Sequence, residues 1–440
     1  MADSRKKRPD LLEDLMEQWP DVLSGHCSIE VGLSGGLDSM VLLDVLWRCR
    51  EARHFHLSAV HVHHGLSPNA EAWVAHCQHW CAMRSIPLRV ERVSVALKGG
   101  DSLEAVARDE RYAVYRRSAA QAIALAHHQD DQAETVLLQL LRGGGAHALA
   151  AMPALRRLGE KWLWRPMLLW PRTRLEAYAA QRALTWVTDE SNADTRWRRN
   201  LLRHDILPLI ESAMPDYRQH LQRSAAQMWQ AAQILDEVAA QDLDACGGNG
   251  RLHLSRFVTL SAARQSQVLV HWLKRLGWND AAPEAIETFR RQVLEAGVDR
   301  HPELRLPQGV LFRYRDQVWA HKEQPDAPPL RQFLAWPLVQ SDLPRWGGVL
   351  SFVESAKGIS SDWLEAGFEV RPRVGGERLQ LEIGNKPVKT LLQEAGIPPA
   401  IRKRWPLLYL PDGRLAAVPS VAVALDCRGV NGHWPMWQPG

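Results

Sequence analysis

Between residues 28 and 143 the chain alternates between two hydrophobic periods, and no other feature restricts its fold as strongly. The segments SIEVGL, HLSAVHVHH, PLRVERVSV and AIALAHH are short, apolar and rich in β-branched residues, which predicts strands. Between them MVLLDVLWRCRE, NAEAWVAHCQHWCAMRSI, SLEAVARDERYAVYRRSA and DQAETVLLQLLRG carry apolar residues at helical spacing, and Gly143, Gly144 and Gly145 stop the last. Strands regularly separated by helices join as parallel βαβ units, with helices on both faces of one sheet. Ligands of such sheets bind at the carboxyl ends of the strands. SGGLDS (34–39), HVHHG (61–65) and AHHQDD (126–131) each fall at one of those ends.

At 440 residues the chain exceeds a single typical domain. Past Met152 the texture changes, and residues 154–205 are dense in Arg and Trp and poorer in strand signals. A helical pattern runs from Tyr217 to about Ala245, and ACGGNGRLHL reads as a turn into a strand. Further helices are predicted near 260–276 and 283–296, and GVLFRYRDQVWA reads as a strand or hairpin. KEQPDAPP is a Pro-rich linker. A last module begins near 345, with LLYLPDGRLAAVPSVAV as a hairpin turning at Pro411, Asp412 and Gly413. The predicted division is 1–215, 216–325 and 345–440.

Lys+Arg 54 against Asp+Glu 50 leaves a net charge of +4, which admits a nucleic-acid partner without requiring one. No apolar stretch is long enough to span a membrane, and MADSRKKRPDLLEDLMEQW lacks the apolar core of a signal peptide. A cytoplasmic, reducing setting is expected, and six scattered cysteines without a Cys-x-x-Cys pair fit it. Cys77 and Cys81, four apart with His76 and His79 nearby, would suit a metal. No second ligand cluster has matching spacing, so helix residues facing a core are the simpler reading.

The loop at 34–39 lacks both the Walker spacing with its Lys and the three spaced glycines of a dinucleotide fingerprint. It retains a compact turn whose backbone N–H groups can face an anion, at the positive end of a helix expected to start near Met40. The glycines let phosphate approach the backbone, and Ser34 and Ser39 add hydroxyls. Asp38 would repel a bare phosphate. It makes sense where a divalent cation lies between them, because Mg²⁺ is held by one or two carboxylates together with phosphate oxygens. A turn in which Asp38 and Ser39 merely cap a helix is the competing explanation, and the whole six-residue string speaks against it.

Three further segments carry candidate chemistry. In AHHQDDQAET, Asp130 is the expected N-cap, Asp131 and Glu134 share a face, and Asp131 is placed on the same cation as Asp38. The three carboxylates also suit the helix dipole without any further role. His127 and His128 could ligate a metal, and at least one is expected to line a nucleotide pocket. In DSLEAVARDERY, Asp101 and Glu104 have capping-box spacing, while Arg108 and Arg111 lie one turn apart and suit triphosphate charge. Arginines on a solvated face explain the same spacing. In RWRRNLLRHDILP, one short helix is expected to carry Arg196, Arg198, Arg199 and Arg203 with Trp197 and His204. Arg156, Arg157, Arg165, Arg172 and Arg174 lie upstream, and arginine interleaved with aromatics suits phosphate backbone and unstacked bases. Lys386, Lys389, Arg402, Lys403, Arg404 and Trp405 repeat the theme near the C-terminus.

SGGLDS resembles the pyrophosphatase-type loop, or PP-loop, of the ATP-dependent, AMP-forming enzymes, among them GMP, asparagine and NAD synthetases and tRNA thiolases. The ordered set HVHHGL, AHHQDDQAET, LRGGGAHALAAM, RPML, DESNADTRWRRNLLRHDILP and the segment from VRPRVGGERLQ to YLPDGRLAAV is similar to the bacterial tRNA(Ile)-lysidine synthases. The similarity covers nearly the whole chain and is weakest between about 216 and 345. His63 stands where that family usually has Asn, Ser67 where a basic residue is common, and Ala148 and Ala151 where Gly is frequent.

The resemblance implies an α/β fold: a parallel-sheet PP-loop ATPase domain of the adenine nucleotide α-hydrolase-like type, a mainly helical middle domain and a small α+β C-terminal domain. It implies ATP and Mg²⁺ as cofactors, and free L-lysine and a tRNA(Ile) with a CAU anticodon as substrates. The position-2 oxygen of the wobble cytidine would attack the α-phosphate and release pyrophosphate. The ε-amine of lysine would then displace AMP to give lysidine, changing decoding from AUG to AUA and charging from Met to Ile. Ser34, Gly35, Gly36, Leu37, Asp38 and Ser39 would cradle pyrophosphate, and Asp38 and Asp131 would hold the metal. Arg108 and Arg111 would neutralise phosphate charge, the backbone around His61 would face adenine, and His127 would line the ATP pocket. Arg199, Asn200 and Arg203 would meet the anticodon region, and Arg371, Lys389, Arg402 and Trp405 the acceptor stem. A homodimer is left open, as are a tRNA thiolase, a small-molecule ligase and a non-catalytic RNA-binding protein.

Overall fold

Leu11 and Leu15 bury one face of α1 (Leu11–Glu17) against the helix that follows the first strand, and a parallel sheet is built behind it. The computed structural model describes residues 10–94, 103–189, 198–248, 250–278, 281–297, 300, 302–322 and 327–439. Arg196, Trp197, Asp101 and half of the Pro-rich linker lie outside the described residues, as does the side chain of Glu104. The chain divides into two compact units, Met1–Ile234 and Leu235–Gly440.

In the first unit β1 (Ser28–Gly32), α2 (Leu37–Arg53), β2 (His56–His63), α3 (Ala70–Ala82), β3 (Leu88–Arg92), α4 (Leu103–Arg117), β4 (Ala122–Ala124) and α5 (Gln129–Leu141) alternate as the hydrophobic periods require. The short α6 (Ala146–Leu149) precedes a hairpin of β5 (Leu155–Leu158) and β6 (Lys161–Trp164). That hairpin lies in the Arg- and Trp-rich region read as poor in strands. Its alternation is masked because Arg156 and Arg157 occupy strand positions and the turn rests on Gly159 at φ +63°. The sheet order is β3-β2-β1-β4-β6-β5, parallel except for the antiparallel edge strand β5. The strand order reverses between β1 and β4, where a crevice opens at the carboxyl edge. Ile29 and Val31 are fully buried, and every residue from Ser39 to Leu46 of α2 is buried beside them. That explains why α2 reads as a nearly continuous apolar run and not as an amphipathic stripe.

The unit continues through α7 (Arg172–Gln181), α8 (Arg198–Leu201), one wide turn at Leu202–Ile206, α9 (Leu207–Ala213) and the first part of α10 (Tyr217–Ala245), a helix that runs on past Ile234 into the second unit. The single short helix expected around the arginines is therefore three pieces. Pro208 sits at the start of α9, where its missing N–H does no harm.

After the end of α10 the second unit contains a four-stranded antiparallel sheet of order β7-β10-β9-β8, from β7 (Arg251–His253), β8 (Glu303–Leu306), β9 (Gly309–Tyr314) and β10 (Gln317–Lys322). The short α11 (Leu254–Phe257) and the two longer helices α12 (Ala262–Arg275) and α13 (Pro283–Glu295) share a core with it around Phe257, Trp272 and Phe289. The C-terminal part is α+β. It contains a sheet of order β11-β14-β17-β18-β19, formed by β11 (Gln332–Leu334), β14 (Phe368–Arg371), β17 (Leu407–Tyr409), β18 (Leu415–Val418) and β19 (Ala422–Val423). Beside it are β12 (Gln340–Leu343), β13 (Gly348–Ser360) and β20 (Gly432–Pro439), and a ribbon of β15 (Arg378–Leu381) and β16 (Gly384–Pro387). Helices α14 (Ser361–Glu365), α15 (Val388–Glu394) and α16 (Pro399–Arg402) complete it. Among the described residues, no helix is long and apolar enough to cross a membrane.

Candidate functional site

The loop after β1 is held by its own serines. Gly35 N–H donates to Ser39 Oγ (3.1 Å), Gly36 N–H to Ser34 Oγ (3.3 Å), and Ser39 Oγ donates to Gly36 O (2.9 Å). Gly35 has φ +87°, and a Cβ there would lie 3.0 Å from Val187 Cγ2 and 3.1 Å from Cys77 Sγ. Only glycine meets both the conformation and the space. The helix starts at Leu37, not near Met40, because extended Gly36 serves as its N-cap. Leu37, Asp38 and Ser39 thus form its first turn, whose N–H groups have no acceptor in the preceding turn and point toward the crevice end of β1. The glycine N–H groups expected to face an anion are instead occupied by hydroxyls in this structure. Leu37 itself is buried, so it offers the site only its backbone.

Across the crevice, α5 begins two residues earlier than expected. His128 is its N-cap, and Asp130 and Asp131 lie inside its first turn. The His128 N–H donates to Asp131 Oδ2 at 3.0 Å, which explains why the cap falls there. The His128 ring is 1% exposed. Its Nε2 lies 3.7 Å from Asp38 Oδ2 and 3.4 Å from Asp131 Oδ2, and its Nδ1 lies 3.6 Å from Asp130 Oδ2. Burial opposes a charge on this ring, but Asp130, Asp38 and Asp131 outweigh burial and push it up to about 10. Neighbouring His127 goes the other way. Burial pushes it down to about 3, Asp131 opposes that only in part, and Arg165 donates to its Nδ1 at 3.3 Å.

Asp131 and Glu134 do share a face, and both point at arginines. Asp131 Oδ1 accepts from Arg199 Nη2 (2.9 Å) and lies 3.4 Å from Arg203 Nη2. Glu134, fully buried, accepts from Arg199 Nε (2.6 Å) and from Arg203 Nε (2.7 Å) and Nη2 (3.0 Å). Asp130 accepts from Arg218 Nε (2.5 Å) and from the Arg172 N–H (2.9 Å). A cavity of about 150 Å³ opens here, lined in part by His128, Glu134, Arg203 and Arg218. The two arginines expected to face RNA are therefore also partners of the acidic helix start. Asn200 lies between them in α8.

Asp38 is the residue best able to hold a divalent cation. Its Oδ1 is buried without a hydrogen-bond partner, an orphan oxygen that a metal would satisfy. Both oxygens of Asp131, by contrast, are engaged by Arg199, Arg203 and His128. The donor set suits a cation held by one carboxylate plus phosphate oxygens. Among the described residues, no group of three or more His, Cys, Asp or Glu side chains forms a cage. Cys77 and Cys81 are buried, and burial pushes their thiols up to about 12 and about 11, which disfavours the thiolate a metal needs.

His61 is 3% exposed, with Nδ1 2.9 Å from Leu33 O, so its ring braces the loop from β2. Arg108 and Arg111 are both exposed on α4, and Arg108 lies over the Tyr112 ring at 5.0 Å. In the second unit, Arg371 donates to Glu369 Oε2 (2.7 Å) and lies over Tyr409, while Arg402 donates to Tyr314 OH (2.8 Å). Lys389 is exposed on α15. Trp405 is placed in the core, 3% exposed, with its indole N–H on Pro419 O at 3.0 Å.

Comparison with known proteins places these features in a family. A model described as a PP-loop domain matches residues 7–210, one described as the TilS substrate binding domain matches 252–319, and one described as the TilS substrate C-terminal domain matches 368–434. The tRNA(Ile)-lysidine synthase of Chromobacterium violaceum is 53% identical over 98% of this chain and 99% of its own length. The chain belongs to the tRNA(Ile)-lysidine synthases. The enzymes of that name from Alkalilimnicola ehrlichii (41% identical, covering 88% of this chain and 87% of their own) and Ralstonia nicotianae (40%, 95% and 94%) agree.

Within this lysidine synthase family member, the PP-loop domain accounts for ATP use. Sequence reasoning missed the bridging role of His128 and the pairing of Glu134 with two arginines. The i, i+3 spacing of Asp131 and Glu134 was the available signal. Nothing local announces Arg172 and Arg218, which reach Asp130 from 42 and 88 residues away.

Proposed function

We propose that this chain ligates free lysine to the position-2 carbon of the wobble cytidine in a tRNA(Ile) with a CAU anticodon. Full-length identity of 53% to a tRNA(Ile)-lysidine synthase carries the reading. The site chemistry supports it. ATP would lie with its phosphates at the first turn of α2, where N–H groups and the helix dipole favour anions. Asp38, with Asp131 nearby, would hold Mg²⁺, which supplies charge neutralisation on the phosphates. Arg108 and Arg111 would add to that neutralisation from α4, and His61 and His127 would shape the ATP pocket.

The cytidine O2 attacks the α-phosphorus, the bond to the bridging oxygen breaks, and pyrophosphate leaves. The base now carries AMP on a former carbonyl oxygen, which is a good leaving group. The neutral ε-amine of lysine attacks C2, AMP departs and the amine loses a proton. The product decodes AUA and is charged with isoleucine. Glu134 and Asp131, paired with Arg199 and Arg203, would put two carboxylates near the reacting atoms. Residues 1–215 act as the catalytic domain, 216–325 as a middle tRNA-binding domain and 345–440 as a tRNA-recognition domain. Arg199, Asn200 and Arg203 serve the anticodon side. Arg371, Lys389 and Arg402 serve the distal contact, and Trp405 supports that surface from within.

Incubation with ATP, Mg²⁺, radiolabelled lysine and tRNA transcripts tests the reading. Label enters only tRNA(Ile) with a CAU anticodon. Equal labelling of tRNA(Met), which shares that anticodon, would remove the specificity claim.

A further inference from the structure

Arg165, directly after β6, is 2% exposed. Its Nη1 donates to Pro153 O (2.8 Å) and its Nε to His127 Nδ1 (3.3 Å), and no carboxylate pairs with it among the described residues. Buried guanidiniums are ordinarily opposed by an acid. More positive charge surrounds this one. Arg156 on β5 lies over the Tyr112 ring at 5.6 Å and Arg108 on α4 over the same ring at 5.0 Å, with Arg108 Nη2 3.3 Å from the Tyr112 hydroxyl. Two elements far apart in sequence thus bring two guanidiniums to one phenol at the carboxyl edge of the sheet, and Arg165 acts on the same phenol electrostatically from a third. Burial alone would raise the Tyr112 phenol, yet Arg108, Arg165 and Arg156 hold it below its ordinary value. Among the described residues, none of the three guanidiniums forms an ion pair with a carboxylate.

We infer that Arg165, Arg156 and Arg108, arranged around Tyr112, form a phosphate-binding subsite at the end of β6, distinct from the loop at the end of β1. A phosphate or diphosphate matches the cluster better than a carboxylate. It carries more than one negative charge and enough oxygens for several guanidinium forks. His127, kept neutral, accepts from Arg165 and holds that fork in place without competing for the anion. The inference rests on the proposed ATP- and tRNA-dependent reaction, which supplies two sources of phosphate: the nucleotide's pyrophosphate and the RNA backbone. It adds Arg165, Arg156 and Tyr112 to residues assigned above only in the case of Arg108.

The test uses the full-length protein and inorganic pyrophosphate. Tyrosinate absorbance is titrated against pH for wild type and Tyr112→Phe, whose difference isolates one of six tyrosines. Added pyrophosphate offsets the guanidiniums, so Tyr112 ionises at higher pH than without it. Calorimetry on Arg156→Gln, a half-buried hairpin position less exposed to misfolding than Arg165, gives about tenfold weaker pyrophosphate binding. If tRNA binding without nucleotide weakens tenfold instead, the phosphate comes from RNA. An unmoved Tyr112 titration together with unchanged binding of both probes by Arg156→Gln would overturn the subsite. Lysine incorporation, measured in parallel, separates the two readings: its absence with the pyrophosphate effect intact removes the proposed reaction and leaves the subsite.

Discussion

Ala151 stands at φ +51°, a left-handed conformation that favours Gly. The Cβ clash there costs roughly 1–2 kcal/mol, less the conformational freedom that glycine would lose on folding. Ala151→Gly is expected to stabilise the protein by about 0.5–1 kcal/mol in urea denaturation, and a loss of stability would refute the strain. His127 and His128 are adjacent and have opposite linkage to pH. His128 is lifted to about 10 from an unfolded value near 6.5, so its contribution is whole below pH ~6.5 and lost as pH climbs toward 10. His127 is pushed down to about 3, so its contribution is present above pH ~6.5 and lost as pH falls toward 3. The stability gap between wild type and His128→Gln should therefore be widest below pH ~6.5 and close toward pH 10. A gap that does not vary with pH would show that His128 is not the bridging cation.

At the scale of elements, two helix starts carry the site, and each was displaced from where its local signals pointed. Asp130 looked like the cap of α5, but His128 takes that position because Asp131 reaches back to its N–H. Asp38 looked like a loop residue, yet Gly36 caps α2 and draws Asp38 into its first turn. The start of α5 is tied to α8 and the turn after it through Glu134. Removing that carboxylate leaves two guanidiniums without their main partner in a region largely screened from water. Glu134→Gln is expected to cost about 3 kcal/mol in chemical denaturation, and more than Asp131→Asn, because Glu134 is fully buried while Asp131 retains some solvent. Equal costs would mean that the pairs act as a diffuse network.

At the scale of the whole molecule, two compact units sit in one chain, and the PP-loop match lies wholly within the first. A ligand stabilises only the unit whose native state binds it. Thermal unfolding followed by calorimetry is expected to show two transitions, with ATP raising only one of them by several degrees. A single transition that shifts as a whole with ATP would show that the units unfold cooperatively.

The sequence by itself determined the parallel sheet and its carboxyl-edge site. Strand and helix periods are properties of ten-residue windows, and SGGLDS and AHHQDDQAET each fall where such a window ends. It also carried the long helix Tyr217–Ala245 and the C-terminal hairpin, whose turn residues are local. The tertiary structure alone decided which charges meet. Arg199 and Arg203 face Asp131 and Glu134 across more than sixty residues, and Arg165 finds His127 and Tyr112 but, among the described residues, no acid. Trp405, which reads as a surface aromatic among basic residues, fills a core because the hairpin closes over it. Charge pairing and burial depend on distances between distant segments, and no local period encodes them.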